Sequence, residues 1–177
     1  MRAVSEPLHR PQAQIMKHNL LAALSVALLT SCQTPSDQRA TDHNNTVTMN
    51  TSNDQAAIKS LLFAYRDALN ASSVDQVIPL YTADGVFMPT GFPTAVGTEQ
   101  VRGAYTGVFS MIKLNIEFFI DGIVVDGDHA FARTTSRGST LIHATGQQVP
   151  EENRELFVLR RANGEWRIAQ YMFNKMK

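Results

Sequence analysis

ELFVLRRANGEWRIAQYMF, residues 155–173, reads as two strands joined by a tight turn. Asn163-Gly164 is the strongest hairpin signal in the chain, because a two-residue turn needs positive φ at its centre. Glu155, Phe157 and Leu159 share one alternation parity. On the second strand Trp166, Ile168, Gln170, Met172 and Asn174 share one as well, so each set lines one face of a sheet.

Upstream of this hairpin the period stays close to two. Residues 114–125 are rich in β-branched and aromatic side chains, with Asp121-Gly122 as a bulge signal. Asp126-Gly127 turns the chain, and 129–143 is a second long strand with Gly138 as a bend. A polar loop to Pro150 leads into the hairpin.

Before residue 114 the spacing is helical. Ser52-x-x-Gln55 resembles a capping box, followed by Ile58, Leu61, Leu62, Tyr65, Ala68 and Leu69 on one face. Ser73-x-x-Gln76 opens a short second helix. Asp84-Gly85 then turns the chain, Val86-Phe87-Met88 forms a short strand, and residues 88–93 make a loop broken by Gly and Pro. Thr98 caps a third helix with an apolar stripe through Val101, Tyr105, Val108 and Ile112. Gly103 and Gly107, costly inside a helix, suggest close packing against a neighbour. Helices and strands are segregated, so the class is α+β. Three helices on one face of a curved, mostly antiparallel sheet would make a cone with one open end.

The first residues carry an address. LLAALSVALL, residues 20–29, is too short to span a bilayer, follows Lys17 and His18, and precedes small residues and Cys32. Residues 1–31 therefore read as a secretory signal, in more compact form if translation starts at Met16. Leu29-Thr30-Ser31-Cys32 resembles the lipobox of bacterial lipoproteins. That resemblance implies acylation of Cys32 and a protein tethered to a membrane of the bacterial cell envelope, on the periplasmic face of the outer membrane in a Gram-negative cell. Residues 32–52 then form the lipidated cysteine and a flexible polar linker. The domain occupies 53–177.

The whole chain has 177 residues, with 16 basic and 16 acidic side chains. The domain alone carries 12 basic and 13 acidic ones. That balance argues against nucleic acid as a partner. A single cysteine excludes an internal disulfide and a multi-cysteine metal site. His129 and His143 lie fourteen apart at opposite strand ends, which gives no support to a zinc site. Nucleotide-binding glycine motifs and a serine elbow are absent, so the sequence implies no cofactor and no metal.

Several segments together resemble a known family. They are Tyr65-Arg66-Asp67-Ala68-Leu69-Asn70, Leu80-Tyr81-Thr82-Ala83-Asp84-Gly85-Val86-Phe87, Gly97-Thr98-Glu99, and the hairpin with its Tyr171-Met172-Phe173-Asn174-Lys175 tail. Residues 53–177 resemble the nuclear transport factor 2-like fold, which includes ketosteroid isomerase, scytalone dehydratase and the SnoaL-like cyclases. The tail is similar to the SgcJ/EcaC branch. The resemblance implies a conical pocket and a homodimer formed through the sheet.

It also implies site residues. Tyr65 matches the isomerase tyrosine that donates to an oxyanion, and Glu155 matches its protonated aspartate. The other reading of Tyr65 is a core tyrosine with a satisfied hydroxyl. That of Glu155 is a salt bridge to Arg133 or Arg137. The isomerase's proton-shuttling aspartate falls on Pro89 here, preceded by Met88, and neither moves a proton. Glu117 offers a base from another wall, or is simply an exposed acid. Phe87, Met88, Phe119, Phe157 and Met172 are expected to line the pocket, with Gln170 and Asn174 at its mouth. Two functions stay open. One is a lipid-anchored protein binding a small, mostly apolar molecule, with or without isomerase-, cyclase- or dehydratase-like acid–base chemistry. The other is a non-catalytic dimerisation or ligand-carrier domain.

Overall fold

The computed structural model describes residues 37–176. The signal segment, the start at Met16 and Cys32 lie outside the described residues.

Helix α1 runs Asp37–Asn70. Neither Gly nor Pro interrupts this stretch, so the helix has no breaker and passes through residues 37–52, where composition leads us to expect a spacer. Ser52 accordingly lies inside the helix rather than capping it. The expected apolar face holds: Ile58, Leu61, Leu62, Tyr65, Ala68 and Leu69 are all buried. Just past the end of the helix Ser72 has a φ of 52°, and Ser73 N–H returns to Ala68 O at 3.0 Å in a Schellman-type closure. Asn70 fastens that end to the sheet: its Nδ2 donates to Ile116 O at 2.8 Å and its Oδ1 accepts from Ile116 N–H at 2.9 Å. Near the other end of the buried face, Asp54 accepts from Arg161 Nη2 at 2.6 Å and Trp166 Nε1 at 3.1 Å.

Helix α2, Val74–Val77, is one turn, capped by Ser73 as its sequence predicts, and a 3-10 turn, Ile78–Leu80, extends it. Strand β1 covers Tyr81–Met88 and β2 covers Ala95–Val96. Asp84-Gly85 is not a turn before the strand. It sits inside β1, where the pairing slips between Tyr81 and Val86.

Helix α3, Gly97–Met111, follows these two strands, so the helices do not all precede the sheet. Thr98 does not cap it. Val96 is the cap residue, and its N–H donates to Gln100 Oε1 at 3.0 Å, while Thr98 Oγ1 reaches back to Ala83 O. Gly103 and Gly107 face open space, not a packed neighbour.

Strands β3 (Ile112–Asp126), β4 (His129–Ile142), β5 (Gln147–Ala162) and β6 (Glu165–Lys175) complete a six-stranded sheet of order β2-β1-β6-β5-β4-β3. Among the described strands only β1 and β6 pair in parallel. The predicted turns at Gly127 and at Asn163-Gly164, with φ of 53° and 81°, and the bulge at Asp121 are all present. The loop before β5 is shorter than expected, because Gln147 already pairs with Ile142. Gly138 sits opposite Ile116, so close to β3 that a Cβ would lie 2.1 Å from Asn115 O. Only glycine allows that approach.

The two faces of the sheet differ. Ile116, Phe118, Ala132, Phe157 and Ile168 pack inward beneath α1 and α3. Phe119, Phe131, Leu156 and Met172 lie exposed on the opposite face.

Candidate functional site

Between α1, α3 and the inner face of the sheet lies a cavity of about 330 Å³, at the small end of the range for ligand pockets. Leu69, Val108, Ile112, Leu114 and Ile142 make one side apolar. The other side is a polar row from β5: Glu151, Asn153 and Glu155, at alternate positions and therefore on one face.

Three tyrosines share a hydroxyl chain at the closed end. Tyr65 and Tyr105 hydroxyls are hydrogen-bonded, and Tyr81 Oη lies 2.8 Å from Tyr105 Oη. All three rings are buried, and burial raises their hydroxyl pKa values, so they stay protonated at neutral pH. Tyr65 and Tyr105 line the cavity and Tyr81 does not.

Glu155 is only 6% exposed. It accepts from Thr134 Oγ1 and, at 3.2 Å, from Tyr171 Oη. Burial pushes its carboxyl above the ordinary carboxylate range, outweighing the opposite pull of hydrogen bonds from Thr134, Ser136 and Tyr171. Neither Arg133 nor Arg137 neutralises it. Arg137 pairs with Glu152 at 2.7 Å.

Of the residues picked from sequence, Tyr65, Phe87 and Glu155 line this cavity. Phe157 is buried behind it, stacked on Tyr171 at 4.4 Å between ring centroids. Glu117 does not reach it. It lies exposed on the other face of β3 and pairs with Arg66 at 2.8 Å. Phe119, 50% exposed, is on that outer face too, beside Arg137. Met88 at the end of β1 is half-buried and is absent from the cavity wall.

Gln170, Met172 and Asn174 also fall outside the cavity. Leu159 pairs with Ile168 but Val158 pairs with Gln170, so Ala169 is an extra residue in β6. That bulge reverses the parity: Trp166 and Ile168 point inward before it, and Tyr171 after it. Met172 and Asn174 line a shallow groove with Arg154 and Leu156 instead. Sequence reasoning missed Tyr105, Tyr171, Glu151 and Asn153. Asn153 and Glu151 share the parity of Glu155, a signal hidden by starting the strand too late.

No group of three or more His, Cys, Asp and Glu side chains suited to a metal ion occurs among the described residues. No described helix is long and apolar enough to cross a membrane.

Residues 62–170 match the SnoaL-like domain model. The chain belongs to the SnoaL-like family. Among solved structures, a ketosteroid isomerase-like protein from Erwinia carotovora atroseptica SCRI1043 is 35% identical, with a TM-score of 0.67 over 69% of this chain and 95% of that one. A candidate aromatic ring hydroxylase from Novosphingobium aromaticivorans is 26% identical, with a TM-score of 0.62 over 71% and 90% of the two chains. A candidate dehydratase of the nuclear transport factor 2-like family from Streptomyces avermitilis shares the fold at 19% identity and a TM-score of 0.61, over 71% and 98%. No curated protein matches. The names of these structural neighbours span different reactions, so the shared fold does not by itself select one.

Proposed function

We propose that this SnoaL-like domain binds a small, mostly apolar carbonyl compound, with Tyr65 and protonated Glu155 as donors to its oxygen. The observation that carries this reading is that Tyr65 and Glu155, both buried, line one cavity, with the carboxyl of Glu155 pushed up by burial. Donors fixed in a low-dielectric site stabilise developing negative charge without reorganising, which is what enolisation of a carbonyl requires. Tyr65 would act through the hydroxyl chain, since each hydrogen bond in a chain polarises the next.

A simple test uses 4-fluoroacetophenone as a carbonyl probe and fluorine NMR on the purified protein. Binding weakened in both Tyr65→Phe and Glu155→Leu is expected. Unchanged affinity in both removes the assignment.

One observation favours a carrier over an enzyme. Met88 and Pro89 stand at the end of β1, where the resemblance to ketosteroid isomerase calls for a carboxylate base, and the proposed substitute Glu117 is tied to Arg66 on the other face. In the carrier reading the same donors hold the ligand and nothing removes a proton. Hydrogen–deuterium exchange at the methyl group of the probe, absent above the protein-free rate, would select it.

The remaining parts of the proposal rest on sequence. Residues 1–31 are the signal peptide, Cys32 is lipidated, 32–52 tether the domain, and the protein works at a membrane surface in the bacterial cell envelope. The tail at Tyr171-Met172-Phe173-Asn174-Lys175 supports placement in the SgcJ/EcaC branch. The exposed outer face of the sheet supports a homodimer.

A further inference from the structure

The polar row on β5 has one open valence. Asn153 is only 6% exposed and lines the cavity. Its Nδ2 donates to Glu151 Oε1 at 2.9 Å and to Ser136 Oγ at 3.3 Å. The carboxylate of Glu151 can only accept, so the amide cannot be flipped. Glu151 is itself held by Thr140 at 2.9 Å and Lys175 at 3.3 Å. The orientation of Asn153 is therefore set by its neighbours, and it leaves Oδ1 buried with no partner. A buried acceptor without a donor is costly, and native structures rarely keep one without a reason.

We infer that Asn153 Oδ1 is the acceptor for a hydrogen-bond donor on the ligand, so that the ligand carries a hydroxyl or amino group as well as its carbonyl oxygen. This rests on the pocket reading above and narrows it. Asn153 and Glu155 are two residues apart on one strand face, a separation of ~7 Å. The ligand class is then a small ring compound with a donor at one end and a carbonyl at the other. Its two polar ends meet β5, and its apolar body meets Val108, Leu114 and Ile142.

The test compares 4-hydroxyacetophenone with 4-fluoroacetophenone, which has similar shape and keeps the ketone but lacks the donor. Dissociation constants come from NMR titration of the purified protein. The wild-type chain is expected to prefer the hydroxyl probe about fivefold to tenfold, the worth of one neutral hydrogen bond. Asn153→Leu is expected to bind the two probes equally, and Asn153→Ala serves the same purpose should the leucine variant not fold. Equal binding by the wild type, or a preference that survives in the variants, overturns the role of Asn153 while leaving the pocket standing. Failure of the fluoro ketone and the hydroxyl probe alike to bind the wild type overturns the pocket reading and this inference together.

Discussion

Tyr105 Oη lies 2.8 Å from Tyr81 Oη and is also hydrogen-bonded to Tyr65 Oη, so one side chain on α3 joins the first helix to the first strand. Removing the middle hydroxyl takes a hydrogen-bond partner from both others in a buried site. Tyr105→Phe is expected to destabilise the domain by about 1–3 kcal/mol, the usual cost of orphaning buried partners. The triple change of Tyr65, Tyr81 and Tyr105 to Phe should cost less than the sum of the three single changes. Urea denaturation of the set measures this.

Glu155 gives the fold a pH dependence of defined sign. Its folded pKa is raised by burial, so the folded state holds this proton more tightly than the unfolded chain. The stability it contributes is fully present below the unfolded pKa and is lost as pH rises through the folded one. Melting curves across that window should fall with rising pH, and Glu155→Gln should flatten the fall. A wild-type slope unchanged in the variant would contradict the assignment.

Two glycines predict opposite outcomes for the same substitution. At Gly138 a Cβ meets the backbone of β3 at 2.1 Å, and Gly138→Ala is expected to cost about 3 kcal/mol or more. At Gly103, exposed on α3 with nothing within 4 Å, Gly103→Ala should stabilise by about 0.5–1 kcal/mol. Thermal denaturation of the pair distinguishes a glycine needed for close approach from one that is not.

The proposed homodimer uses the outer sheet face, where Phe119, Phe131, Leu156 and Met172 are exposed. Leu156→Asp puts a charge in that face without touching the core. Sedimentation should show a dimer for the parent and a monomer with unchanged circular dichroism for the variant. A monomeric parent would reject the proposal.

Local chemistry made much of this legible. Ser73 caps α2 and Asn163-Gly164 turns the last hairpin because each signal acts within a few residues. The first-helix stripe that marks Tyr65 is equally local. What the sequence hid depends on pairing between strands. One extra residue at Ala169 turned Tyr171 inward and Gln170, Met172 and Asn174 away, and alternation cannot be followed through a bulge that leaves no glycine. Gly103 and Gly107 misled in the other direction, since helix spacing alone does not say which face has a neighbour.

The clamp between Asn70 and Ile116 has a wider effect. Strand β3 ends the sheet, and its outward backbone groups would otherwise be a template for another chain. Asn70 occupies both groups of Ile116, and Gln55 Nε2 takes Ile123 O at 3.2 Å, so α1 serves as a guard rail along that border. On the opposite border β2 pairs with Val86 and Phe87 of β1, and Thr98 Oγ1 donates to Ala83 O. Many copies crowded together by the proposed lipid anchor would thus have fewer open strand groups with which to stitch themselves into fibres.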